Sequence, residues 1–229
     1  MKSNDLNSRR SFMSALVLGT AATTLAAFTN PLQAALPTLP DIDLASQGDA
    51  DKWFEKVKGT HRITYDGSTH HDGFPIIWTW AFYVTNNETF TVDSDMTAVC
   101  VLRHTGIPFA FKSSLWEKYN LGKVFEINDK STSQPSKRNL YYEPQPGDFP
   151  LPGIDGIKRM QERGAMFCVC NLAIKVYSSV VAAQMGLEAN TVYQDWIDAI
   201  HPDIQLVPSG VWALGRAQEK GCGYIFAGG

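Results

Sequence analysis

The chain has 229 residues, of which 44% are hydrophobic and 11% aromatic, so one sizeable core is within reach. Charged residues make up 19% and the formal net charge is −3. That balance argues against a nucleic-acid partner or an anionic membrane surface.

The amino terminus reads as an export signal. Ser8-Arg9-Arg10-Ser11-Phe12-Met13 precedes a moderately apolar run, Ser14–Phe28, and Leu32-Gln33-Ala34 forms a cleavage site. The paired arginines with Phe12 two positions on resemble a twin-arginine (Tat) signal over residues 1–34. This implies the Tat translocase as a transient partner and a periplasmic destination. Removal of residues 1–34 takes away three basic residues and one acidic residue, leaving 17 and 22, a charge of −5.

Residues 35–75 read as a linker and amino-terminal extension. Its proline-containing start is an extended arm, Asp51–Val57 is a short amphipathic helix with Trp53, Phe54 and Val57 on its apolar face, and His61–Tyr65 is a lead-in strand. The α/β domain is then expected over 76–229. Ile76–Thr85, apolar and aromatic, is taken as the first buried strand, ending at Asn86 and Asn87. Thr97–Arg103 is the second strand, ending at His104. Ser113–Leu121 is helical. Asn128–Gly153, rich in polar residues, Pro and Gly, is a long loop of functional type. Ile154–Arg163 is a helix closed by Gly164.

Ala165–Val169 is a short apolar strand of the kind found inside parallel sheets, and a helix begins at Asn171, the expected N-cap. Cys170 therefore sits at the joint between a strand's carboxyl end and a helix's amino end. Ligands bind at such joints in open α/β sheets, and the helix dipole favours a thiolate there. Thr191–Ile200 is helical, Ile204–Val207 is a strand ended by Pro208-Ser209-Gly210, Val211–Lys220 is helical, and Cys222–Phe226 is the last strand. This order gives a mostly parallel five-stranded sheet with helices on both faces. The first crossover, Asn86–Asp95, is short for a parallel connection. Cys168 and Cys170 are expected to diverge at the strand's end, which would strain a bond between them, and mostly free thiols are anticipated.

The Cys170-Asn171-Leu172 turn, the Val207-Pro208-Ser209-Gly210-Val211 segment and the terminal Gln218-Glu219-Lys220-Gly221-Cys222-Gly223-Tyr224-Ile225, taken in order, resemble the DsrE/DsrF-like family of sulfur-relay proteins. The Val99–His104 strand is similar to that family's second strand. The resemblance covers roughly Ile76 to Phe226 and implies a flavodoxin-like α/β sandwich, a trimeric or hexameric homo-oligomer, and a persulfide on Cys170 in place of any other cofactor. Its partners would be small sulfur species or a relay protein. The export signal, the arm and the 128–153 insertion depart from many members, and no second relay cysteine stands in a carboxyl-terminal tail.

The chemistry anticipated is nucleophilic. Cys170 supplies the thiolate, Arg103 and His104 lie nearby to pair with an anionic sulfur species, and Asn86, Asn87, Asn171, Ser209 and Gly210 add donors along the same sheet edge. Ser209 also fits the cap of the following helix. A metal or haem reading would draw on His70, His71 and Asp72 with His61 or His104, but no Cys-x-x-Cys-His is present. There is no Gly-rich phosphate loop and no Gly-x-Ser-x-Gly turn. A non-catalytic periplasmic binding or assembly subunit, with Trp78, Trp80 or Trp116 in an interface, is the reading from a different class.

Overall fold

The computed structural model of the chain describes residues 50–228; the expected export signal and the expected arm up to residue 49 lie outside the described residues. Five strands form one sheet: β1 (His61–Gly67), β2 (Met96–Leu102), β3 (Met166–Cys170), β4 (Ile204–Val207) and β5 (Gly223–Phe226). Their spatial order is β4-β3-β2-β1-β5, and every pairing is parallel. The protein is an α/β fold of flavodoxin-like type.

The chain steps across the sheet in one direction from β1 to β4 and then returns to the far edge for β5. Right-handed crossovers require the first three connections to cover one face and the returning one to cover the other. The packing follows that rule. Helices α1 (Phe74–Glu88), α2 (Ser113–Tyr119), α5 (Asn171–Met185) and α6 (Ala189–Asp198) bury Ile76, Trp116, Ile174 and Trp196 against one face, where Cys100, Leu102 and Phe167 point. Short helices α3 (Leu121–Val124) and α4 (Ile157–Glu162) border that layer. The opposite face, with Val99, Val101 and Cys168, is covered by α7 (Gly210–Glu219) and by Ala50, Trp53 and Phe54 of the first described turn.

Two expectations are corrected here. Ile76–Thr85 is helix, not strand, and His61–Gly67, placed in the extension, is an interior strand of the sheet. The fifteen residues of α1 are far longer than an ordinary strand, and Pro75 stands in its first turn, after Gly73 with φ +86°. Its hydroxyls and amides turn inward on the helix: Thr79 and Thr85 donate to Pro75 O and Ala81 O, and Asn86 donates to Phe82 O. The exchange also removes the short-crossover difficulty, because α1 now bridges β1 and β2. The domain therefore begins well before residue 76.

The 128–153 segment, read as a functional loop, is held by a buried polar network. Arg138 pairs with Asp148 at 2.6 and 2.7 Å and with Asp129 at 3.1 Å. Asn139 donates to Phe109 O and Phe111 O and accepts from the Tyr141 and Tyr142 amides. Tyr142 stacks on His201, with ring centroids 3.3 Å apart and 6° between planes.

Asn139→Ala leaves these buried backbone groups without partners and should lower unfolding free energy by about 2–3 kcal/mol in urea titration. His201 is held down to about 4, mainly by burial. A histidine with a depressed folded pKa is protonated first in the unfolded chain. Stability present above about pH 6.5 should therefore decline as pH falls toward 4. His201→Gln should flatten that part of a stability-versus-pH curve; an unchanged slope would refute the assignment.

Candidate functional site

Because all five strands are parallel, their carboxyl ends share one edge, and backbone bonds stitch that edge together. Arg103 N–H donates to Gly67 O, Thr105 N–H to Ser68 O, Ala227 N–H to Asp66 O and Leu172 N–H to Pro208 O, all at 3.0–3.2 Å. The ends of β1, β2, β3, β4 and β5 are thus brought to one rim.

Cys170, not Asn171, is the N-cap of α5. Its φ/ψ of −74/109° is extended, and its Sγ accepts the Ala173 N–H at 3.3 Å. A cap takes this bond because the first amides of a helix have no carbonyl partner. Cys170 is 6% exposed and packs with the α5-side core, whereas Cys168 lies in the cluster on the opposite face. The two side chains therefore diverge, and all four cysteines are free thiols. Burial pushes Cys100 up to about 12, Cys222 up to about 11 and Cys168 well above the ordinary thiol value.

Arg103 is brought to the same rim. Leu102 is in register with Val169, so Arg103 stands opposite Cys170 one step further on, with strands about 4.8 Å apart. Its guanidinium is not free. Nε and Nη2 make a bidentate pair with Asp66 at 2.6 and 2.8 Å. That pair, opposed by burial and reinforced by Tyr224 and Cys170, raises the Arg103 pKa. His104 has φ +48° and sets its ring edge-on to Tyr177, with centroids 5.9 Å apart. Burial and the Arg103 charge hold it below the usual histidine value, so it is neutral near neutral pH. A hydrogen bond to the Ser68 backbone opposes that shift.

Ser209 caps α7, accepting the Trp212 N–H at 3.2 Å. Gly210 is where the Arg103 stem passes: a Cβ there would lie 2.6 Å from Arg103 Cβ. Asn171 Oδ1 accepts from the Tyr193 hydroxyl at 2.8 Å, which ties α5 to α6. The anticipated donors Asn86 and Asn87 are a correction. They end a helix rather than a strand, and Asn87 bonds Asp93 and Arg163, which precede β2 and β3 at the opposite edge of the sheet. They do not share the rim with Cys170.

Sequence reasoning missed Asp66 and Tyr224. Asp66 is 2% exposed, and the Tyr224 hydroxyl donates to its Oδ2 at 2.9 Å. An Asp within an otherwise alternating strand, His61–Gly67, was the available signal. In His70-His71-Asp72, His71 stacks on Phe74 and Asp72 pairs with Lys130, and among the described residues no three His, Cys, Asp or Glu side chains are arranged to hold a metal ion. Trp116 is fully buried, Trp80 half-buried and Trp78 41% exposed, so only Trp78 is free to serve an interface.

Neither a family model nor a curated protein matches the chain. Among solved structures it is similar to a protein of unknown function, MTH1491 from Methanobacterium thermoautotrophicum, at 14% identity and a TM-score of 0.36, covering 72% of this chain and 98% of that one. Among the described residues no helix is long and apolar enough to cross a membrane.

Gly210→Ala must displace the Arg103 stem, which cannot yield at its Cβ. Denaturant unfolding should show a loss of about 1–3 kcal/mol; a change under about 0.5 kcal/mol would mean the Arg103 position is not fixed by this contact.

Proposed function

We propose that this is an exported protein that accepts and relays sulfur through a persulfide on Cys170. The observation that carries the reading is the placement of that thiol as the N-cap of α5, with its sulfur accepting the Ala173 amide. A helix amino terminus stabilises the thiolate, the form that acts as nucleophile. The remaining cysteines are buried thiols whose ionisation burial opposes.

The step is an exchange at sulfur. The Cys170 thiolate attacks the outer sulfur of a persulfide or polysulfide. The new bond is Sγ–S; the donor's S–S bond breaks and its electron pair leaves with the donor thiolate, which takes up a proton from water. No external oxidant is consumed. The positive end of the α5 dipole favours the anionic terminal sulfur. The resemblance to the DsrE/DsrF-like family supports this reading, as does the Tat-like signal for export to the periplasm. A homo-oligomer is part of the same proposal.

An assembly role is the second reading. It is favoured by β5, an edge strand exposed along its whole length, with Tyr224, Ile225 and Phe226 each 44–52% exposed. Sheet edges of this kind are open to a further chain.

Intact-mass spectrometry after incubation with polysulfide or thiosulfate separates the two. The wild-type chain should gain one or more sulfur atoms and Cys170→Ser should gain none. A folded wild-type chain without adduct leaves the assembly role; an adduct that persists in the variant moves the acceptor to Cys100, Cys168 or Cys222.

A further inference from the structure

The His70-His71-Asp72 turn between β1 and α1 plays no part in sulfur relay through Cys170, and its backbone is strained. His71, Asp72 and Gly73 follow one another at φ +34°, +48° and +86°. Residues with side chains rarely adopt this region, and where they do a ligand clamp is a common reason. Gly73 is there because a Cβ would fall 2.5 Å from the Tyr141 ring. The turn follows the carboxyl end of β1, on the edge of a parallel sheet where ligands bind. Beside it opens a cavity of about 330 Å³, a volume that suits a small organic molecule. Phe74, Phe149 and Pro150 give it apolar walls, and Asp72, Asp148 and Lys130 are its charged groups. Phe74 is held between the rings of His71, at 4.6 Å, and Trp78, at 5.4 Å. Phe149 packs on Tyr141, which is 1% exposed, with ring centroids 5.3 Å apart. Burial and the charges of Asp72 and Asp148 push the Tyr141 pKa up, and no hydrogen bond to its hydroxyl among the described residues offsets them.

We infer that this cavity is a binding site for a small organic ammonium ion, an amine carried on an apolar body, whose charged group takes the place of Lys130 on Asp72. The site shares no residue with the Cys170 turn and does not depend on the relay. Asp148 is already matched by Arg138 through two hydrogen bonds. Asp72 is met by the Lys130 ammonium at 2.6 Å, and the side chains of that pair are 67% and 43% exposed. An exposed pair of this kind is weak, so the lysine is displaced at little cost. The carboxylate is the fixed member, a short side chain on a constrained backbone, whereas Lys130 carries its charge on a flexible four-carbon stem. Two carboxylates therefore face the incoming group, with a single mobile lysine to answer them, and an anion would be repelled. The aromatic walls add to the attraction for a cation. Near Asp72, His70 is held below the usual histidine value by burial and adds no positive charge near neutral pH, while Glu126 adds a negative one.

The test is calorimetry and amide NMR on the full chain with three probes of one shape: phenethylamine, charged at neutral pH, its neutral counterpart 2-phenylethanol, and the anion 3-phenylpropionate. Phenethylamine should bind and shift the amides of residues 72–74 and 147–149. It should bind about tenfold more tightly than 2-phenylethanol, and 3-phenylpropionate should be weaker still. No binding of the amine, or binding of the anion as tight as that of the amine, overturns the inference. Two variants read the ion pair. Asp72→Asn keeps a residue that tolerates the left-handed backbone and should weaken phenethylamine binding about tenfold. Lys130→Gln frees the carboxylate and should tighten binding about threefold. Unchanged affinity in Asp72→Asn, or weaker binding in Lys130→Gln, overturns the assignment. Both substitutions fall on exposed side chains, so the folded chain is available for each measurement. Cys170→Ser should bind phenethylamine as the wild type does, whatever the outcome of sulfur loading; a loss there would overturn the independence of the two sites.

Discussion

A carboxylate placed inside a sheet has to be met by donors, and meeting Asp66 shapes the whole carboxyl rim. Its strand is flanked by β2 and β5, so the partners come from those neighbours: Arg103 from one, Tyr224 from the other. Arg103 must then leave β2 toward the α7 face, α7 must begin with a residue that lacks a side chain, and β5 must reach far enough to present its tyrosine. Removing one partner of a buried pair is more damaging than never having had it. That asymmetry ties β1, β2, β5 and the start of α7 into one unit.

The same rim holds the thiol by a different kind of force. Cys170 is fixed through the geometry of a helix end rather than through a charge. A cap residue must be extended, must stop the strand, and must offer an acceptor to the third amide. Cysteine is an unusual choice there, since oxygen side chains serve better. The cap also explains how residues 168 and 170 part company. Cys168 keeps the strand's alternation, while the chain turns at Cys170 and carries its sulfur to the other layer.

What the sequence disclosed follows the range of the interactions. β3, β4, β5 and α7 each carry local punctuation: Gly164 before the first, Pro208-Ser209-Gly210 between β4 and α7, Gly221 before β5. Their bounds were legible to within a residue or so, and with them Cys170, Arg103, Ser209 and Gly210. β1 was read as a lead-in strand outside the domain and α1 as its first core strand because each contradicts the usual composition. An interior parallel strand should be an apolar run, but His61–Gly67 buries Thr64 and Asp66. A helix should show a polar stripe, but α1 is aromatic and apolar around most of its surface. Placing the strand wrongly also put Asn86 and Asn87 on the wrong edge. Asp66 and Tyr224 were invisible for a further reason: they meet across 158 residues, which no local pattern encodes.

The position of β5 also bears on how the site comes into being. β1 to β4 pair in sequence order, each with a strand a single crossover away. β5 must return across the sheet to β1, closing the longest loop in the fold. Loop-closure entropy makes such a pairing late and slow. Until it closes, Asp66 lacks the Tyr224 hydroxyl and the Ala227 amide that ties the rim at its backbone. A chain still emerging from the ribosome therefore carries Cys170 before it carries a finished rim, and residues 223–227 set the moment at which Asp66 gains its last partners.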